Sequence, residues 1–414
     1  MSEPKPKPFD ISKWVVQAAW LRVKENQGAA GVDGQSIDDF EADLRNNLFK
    51  IWNRMSSGSY FPPPVRAVEI PKSGGGIRVL GVPTVADRVA QTVASMYLER
   101  RVEPIFHPDS YGYRPRRSAL DAVAVCRERC WKYDWAVDLD VRKFFDTIDH
   151  DLLLRAVEKH ATEPWVVLYV RRWLVAPLQR PDGGLEARDR GSPQGSAISP
   201  VLANLFLHYV LDAWLVRTFP DVRFERYADD AVVHCVSEGQ AQQVRAAIAA
   251  RMAECGLELH EDKTKIVYCK DANRTGAFEH VKFDFLGYTF RPRLARNKAG
   301  AYFASFSPAI SDAAAKRIRK KMRSWWLHRR SDRSLIFLAA MINEVVRGWI
   351  GYYGKFRRSA LRPLFRHLNE ILVRWVQGKY KRFRYAPNRA RQFLKEIAQR
   401  DPRLFVHWQF GVRP

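Results

Sequence analysis

The stretch RFERYADDAVVHCV at 223–236 constrains the fold more than any other part of the chain. Two β-rich runs flank Tyr227-Ala228-Asp229-Asp230, and this reads as a hairpin with two neighbouring acids at its tip. A tight tip normally carries Asn-Gly or Asp-Gly, and adjacent carboxylates there repel each other. A second strand pattern, WAVDLDV at 135–141, alternates Trp135, Val137, Leu139 and Val141 with Ala136, Asp138 and Asp140, so both of its acids point to one face. A single Asp at a strand end is an ordinary surface residue. Asp140, Asp229 and Asp230 taken together call for divalent cations to relieve their repulsion. Two-metal phosphoryl transfer needs such a set: one ion activates an attacking 3′-hydroxyl, the other steadies the leaving pyrophosphate.

Charge points the same way. Sixty-nine Lys and Arg against 45 Asp and Glu leave a net charge of +24, which marks a binder of polyanions, nucleic acid above all. With 46% apolar and 12% aromatic residues, the 414-residue chain can bury two or three cores. Cys126, Cys130, Cys235, Cys255 and Cys269 show no zinc-site spacing and are expected as reduced, mostly buried thiols. The N-terminal MSEPKPKPFD lacks a signal pattern, and no uninterrupted run of about 18 apolar residues occurs, so a soluble, cytoplasmic protein without membrane partners is expected.

Along the chain, residues 11–57 read as helix broken by GAAGVDG at 28–34, and residues 60–83 as a hairpin turning at Ser73-Gly74-Gly75-Gly76, with Lys72 and Arg78 at its mouth. Helices are expected at 85–106, 150–174, 199–217 and 239–255, and FDFLGYTF at 283–290 reads as a strand. This order suggests an α+β domain with helices against a small sheet. Between Arg291 and Arg384, 24 Lys or Arg face only four Asp or Glu, interleaved with Trp325, Trp326, Trp349, Tyr352, Tyr353 and Trp375. Apolar residues there recur at helical spacing, and a helical module facing RNA or DNA is expected.

From about residue 20 to 385 the chain resembles the reverse transcriptase–maturase proteins of bacterial group II introns. The resemblance is a series of blocks in the family's order: NQGAAGVDG (26–34), IPKSGGGIRVLGVPTVADRVAQ (70–91), SYGYRPRRSALDA (110–122), WAVDLDVRKFFDTIDHDLLL (135–154), GSPQGSAISPVLANLFL (191–207), RYADD, LELHEDKTKIV (257–267), FDFLGYTF and NEVVRGWIGYY (343–353). It implies a right-hand polymerase, fingers and palm with a small antiparallel sheet plus an α-helical thumb or maturase domain. The divisions expected are an N-terminal block at 1–59, fingers at 60–134, palm at 135–290, thumb at 291–385, and a short tail at 386–414 without an endonuclease, as in the short members of the family.

The resemblance also implies roles. Asp140, Asp229 and Asp230 would bind two Mg²⁺ ions, with Mn²⁺ as a substitute, and Lys263 would protonate pyrophosphate, Lys265 being the weaker candidate. Lys72 and Arg78 would hold the incoming triphosphate, and Gln194 would lie along the bound dNTP. Phe145 would stand under its sugar, excluding a 2′-hydroxyl, while its neighbour Phe144 is core. Phe285, Leu286 and Gly287 would support the primer end, and Arg347, Trp349, Tyr352 and Tyr353 would shape the thumb. The implied function is RNA-directed DNA synthesis from a DNA or RNA primer on group II intron RNA or another structured RNA template, with assistance to splicing and insertion into target DNA. A host-domesticated enzyme of the same fold, acting in antiphage defence or DNA repair, is an alternative, and a splicing-only RNA-binding maturase is another. The intact acid set with Lys72, Arg78 and Gln194 argues against the last.

Overall fold

Two β-rich runs make the first hairpin: Val65–Pro71 pairs antiparallel with Ile77–Val82, from Arg66 opposite Val82 to Pro71 opposite Ile77. The computed structural model describes residues 7–71, 76–297 and 299–414, so Lys72 and most of the turn expected at Ser73-Gly74-Gly75-Gly76 lie outside the described residues. The described chain divides into two units, one of Met1–Ala122 with Val137–Thr264, the other of Val123–Ala136 with Lys265–Pro414.

In the first unit, Val65–Pro71 also pairs in parallel with Leu178–Gln179, which pairs with Leu185–Glu186. The helix Val85–Val102 runs through the core, with Val85, Val89, Ala90, Val93 and Ala94 fully enclosed. An acid on that helix, Asp87, is buried as well. It accepts hydrogen bonds from Tyr60 Oη (2.8 Å), Trp173 Nε1 (2.7 Å) and Gln91 Nε2 (2.9 Å), which meet the cost of enclosing it. The expected helix at 150–174 is two, His150–His160 and Pro164–Val175, because Pro164 starts a new first turn where its missing N–H is harmless. The hairpin of residues 223–236 is present: Arg223–Tyr227 pairs with Asp230–Cys235, and the latter lies between Arg223–Tyr227 and Trp135–Leu139.

In the second unit, FDFLGYTF is two strands, Phe283–Phe285 and Tyr288–Arg296, joined by a two-residue turn at Leu286-Gly287. Tyr288–Arg296 then pairs over its length with Tyr302–Ile310, so the basic region opens as a β-hairpin and turns helical only at Asp312. The count of basic residues could not see this, since Arg suits an exposed strand as well as a helix. Helices Asp312–Ser324, Leu335–Tyr353, Arg362–Lys379 and Pro387–Arg400 enclose Met322, Leu338, Ile342, Phe365, Leu372, Trp375 and Leu394. The first two start on serine caps, where Ser311 Oγ and Ser334 Oγ accept from the N–H groups of Ala314 and Phe337. Residues 386–414, read from the sequence as a tail, are folded into this core. Trp408 is buried there and donates from Nε1 to Asn369 Oδ1 at 3.0 Å.

All five cysteines are buried. Ser199–Thr218 and Leu335–Tyr353 are long and apolar enough to cross a membrane by length and mean hydropathy. Polar residues such as Asn204, Asp212, Glu344 and Arg347 interrupt the runs and hide them from a search for unbroken apolar sequence. The first stretch is 67% buried inside the protein, the condition of a core helix.

Candidate active site

The strand Trp135–Leu139 delivers Asp140 at its end, and the chain after it fixes the residue's backbone. The Asp140 carbonyl accepts from His260 N–H at 2.8 Å, and its own N–H donates to Thr264 Oγ1 at 3.4 Å. Lys263 lies on the same short segment, and its Nζ stands 3.4 Å from the Asp140 carboxylate. The hairpin supplies the other two acids. Tyr227 pairs with Asp230, leaving Ala228-Asp229 as the connecting residues, with Ala228 in the left-handed region at φ 56°.

Electrostatics ties the three acids together. Burial pushes the Asp229 carboxyl up, Asp140 adds to the rise, and Arg78 and Arg226 oppose it. Solvent reaches one side of Asp230 while protein crowds the other. Burial first, then Asp229 and Asp140, push its carboxyl up to about 6 against the pull of Lys263. A cluster this acidic and this poorly neutralised is a fitting oxygen-donor set for a hard divalent cation.

Of the predicted nucleotide contacts, Phe145, Gln194 and the strand that carries Arg78 meet around the loop Gly191–Ala197. Ser192 N–H donates to the Phe145 carbonyl at 2.7 Å, Gly81 N–H to the Gln194 carbonyl at 2.9 Å, and Ala197 N–H to Gln91 Oε1 at 2.8 Å. The loop bearing Gln194 is thereby clamped to Phe145 and to the strand Ile77–Val82 that carries Arg78. Phe144 is core, whereas Phe145 is only half-buried and meets it edge-on at 5.2 Å.

In the second unit, Phe285 is buried and Leu286-Gly287 form the turn, both at positive φ (50° and 79°). Tyr352 Oη donates to the Leu286 carbonyl at 2.8 Å, and Tyr288 Oη donates to the Tyr352 carbonyl. A Cβ at Gly287 would stand 3.2 Å from Tyr353 Oη. Tyr352 and Tyr353 are therefore brought against the predicted primer-support turn. Trp349 stacks instead on Trp325 at 5.4 Å, and Arg347 is exposed beside Glu344 at 3.9 Å.

The sequence reading missed Arg226, Asp212 and Asn204, which are buried beneath the acid turn. One signal was available. Arg226 shares its strand phase with Phe224, so alternation puts a guanidinium on an apolar face.

Comparison with known proteins accords with this geometry. Residues 70–290 match the family of reverse transcriptases (RNA-dependent DNA polymerases), and residues 315–394 match the group II intron maturase-specific domain. The chain is 32% identical to protein YkfC of Escherichia coli, over 63% of this chain and 78% of that protein. It is 29% identical to the group II intron-encoded protein LtrA of Lactococcus lactis and to the putative COX1/OXI3 intron 1 protein of Saccharomyces cerevisiae. Those two matches span 53% and 49% of this chain but only 36% and 24% of the longer relatives. With three acids at one end of a small sheet, and with both family models matching in order, this chain belongs to the reverse transcriptases, RNA-dependent DNA polymerases of the group II intron reverse transcriptase–maturase type.

Proposed function

We propose that the protein extends a primer with dNTPs on an RNA template by a two-metal mechanism, and that it binds group II intron RNA to assist splicing and mobility. The convergence of Asp140, Asp229 and Asp230, with Lys263 as near counter-charge, carries this reading. In the right-hand description, residues 60–134 are fingers, 135–290 palm and 291–385 thumb. Asp140, Asp229 and Asp230 would hold two Mg²⁺ ions, which when bound lower the pKa of the primer 3′-hydroxyl and neutralise charge on the phosphates. Lys72 and Arg78 hold the triphosphate, Gln194 lies along the nucleotide, and Phe145 meets the sugar. The 3′-oxygen attacks the α-phosphorus, and the bond to pyrophosphate breaks. Lys263 Nζ stands 3.4 Å from the Asp140 carboxylate. From beside the acids its ammonium would give a proton to the leaving pyrophosphate. Phe285, Leu286 and Gly287 support the primer end, and the helical region with Arg347, Trp349, Tyr352 and Tyr353 tracks the duplex. The maturase-specific match at 315–394 supports intron RNA as the partner, with target DNA as the acceptor in mobility.

The test is primer extension on RNA with dNTPs and Mg²⁺ or Mn²⁺. Asp229→Ala with Asp230→Ala should lower the rate about 1000-fold, since metal stabilisation of the transition state is worth several kcal/mol. Activity retained in that double variant would sink the carboxylate assignment.

A further inference from the structure

Beneath the acid turn lies a buried polar network that the reaction itself does not use. The Arg226 and Asp212 side chains are both fully enclosed and form a fork: Nε to Oδ1 at 2.7 Å and Nη2 to Oδ2 at 2.6 Å. The remaining arm of the guanidinium, Nη1, donates to Asn204 Oδ1 at 3.0 Å and to the Ala228 carbonyl at 2.9 Å. Asn204 Nδ2 donates in turn to the Gly112 carbonyl at 2.6 Å. The segment carrying Gly112 lies along the hairpin, because Tyr111 N–H donates to the Arg226 carbonyl at 2.8 Å and Arg226 N–H to the Asp109 carbonyl at 2.9 Å. At Gly112 even a methyl group would collide with the turn, its Cβ falling 2.3 Å from Ala228 N.

The peptide these contacts grip is the strained one. Ala228 sits at φ 56°, a conformation disfavoured for a residue with a Cβ, and it immediately precedes Asp229 and Asp230. A π-helical turn, His208–Asp212, links the helix Ser199–Leu207 carrying Asn204 to Ala213–Thr218 and ends on Asp212. Such turns insert a residue and re-aim the side chains that follow. A buried ion pair is a poor source of stability compared with apolar packing, so its presence here is better explained by the geometry it imposes.

We propose that Arg226, oriented by Asp212 and Asn204, is a positioning residue that holds the Ala228 peptide so that Asp229 and Asp230 converge on divalent metal. This rests on the reading of those two acids as metal ligands. Arg226 does not touch substrate. It acts through the turn.

The experiment titrates Mn²⁺ into the full-length protein without nucleic acid, reading bound metal by electron paramagnetic resonance. Mg²⁺-dependent primer extension and the thermal midpoint are measured in parallel. Asn204→Ala and Asp212→Asn should each raise the Mn²⁺ concentration for half-occupancy at least about tenfold. Each should lower kcat by a similar factor and change KM for dNTP by less than about threefold. Should Asp212→Asn fail to fold, Asn204→Ala decides, since it leaves the ion pair intact. Asp229→Asn is the reference. If Asp229→Asn weakens Mn²⁺ binding but folded Asn204→Ala binds as wild type, with only its midpoint lowered, the network is merely structural and the proposal is overturned alone. If Asp229→Asn leaves Mn²⁺ binding unchanged, the ligand reading falls and takes the proposal with it.

Discussion

At the scale of single residues, Phe144 and Phe145 divide the labour that one aromatic pair could have shared. Phe144 is core, while Phe145 stays half-buried beside the loop that carries Gln194. Truncating Phe145 should therefore leave the fold almost unchanged and act on sugar choice. Phe145→Ala is expected to reduce discrimination against ribonucleotides roughly ten- to hundredfold, the range open to a steric contact. Competition between dNTP and rNTP in single-nucleotide extension measures it, and unchanged selectivity would remove Phe145 as the gate. The acids were legible in the sequence because hairpin and strand patterns are local. Their support was not, because Arg226 reaches Asp212 and Asn204 across 14 and 22 residues, and nothing local announces such a partner.

At the scale of elements, the molecule places non-glycine residues in the left-handed region at two hairpin tips, Ala228 in one and Leu286 in the other. In each case a side chain holds the peptide by its carbonyl, Arg226 of the same hairpin at Ala228 and Tyr352 of another element at Leu286. This is why FDFLGYTF looks like one strand: a leucine stands where a turn of this kind prefers Asn. Gly287, its partner at φ 79°, has no such latitude. Gly287→Ala should cost about 1 to 2 kcal/mol through backbone strain and crowding of Tyr353, read as a lower denaturant midpoint with unchanged slope.

The last helical segment carries an acid-sensitive contact. His407 is buried and donates from Nε2 to Asn369 Oδ1, an amide oxygen that only accepts, at 2.7 Å. Burial depresses its pKa to about 3 from 6.5. Above pH 6.5 the group is neutral in both states and its contribution is fully present. As pH falls below 6.5 the unfolded chain takes up a proton that the folded one refuses. Stability should drop by about 2 kcal/mol by pH 5. His407→Gln, which retains a donor but no titration, should flatten that slope in chemical denaturation, and a slope equal to wild type would exclude His407 as its source. From the sequence, residues 386–414 read only as a short tail. Their role in the core was invisible, since short charged helices read as surface until the apolar partner is known.

At the scale of the whole molecule, the +24 charge is the dominant long-range property, and the region from Arg291 to Arg384 carries much of it. Most of the aromatics interleaved there are packing: Trp325 and Trp375 are buried, and Trp349 and Tyr353 pack against the same core, while Trp326 stays exposed with Arg329 over its ring at 4.5 Å. Exposed rings flanked by guanidinium groups are suited to unpaired bases, and the surrounding charge to phosphates. Affinity for structured RNA should accordingly fall about 10³- to 10⁵-fold between 50 and 200 mM salt if 6–10 phosphates are neutralised. A filter-binding series over that range checks it, and a nearly flat dependence would mean that the charge is not the binding surface.

Alternation of side chains along a strand and the order of motifs along the chain were enough, from sequence alone, to place three acids near strand ends and to give the family. Both are properties of short windows, where backbone geometry and residue type are directly coupled. Tertiary structure decided the rest. It made Asp140 and Asp229, 89 positions apart, feel one another's charge, and it enclosed Arg226 with Asp212. It also folded residues 386–414 into the core. Burial and long-range pairing depend on which surfaces meet, and no single segment carries that information.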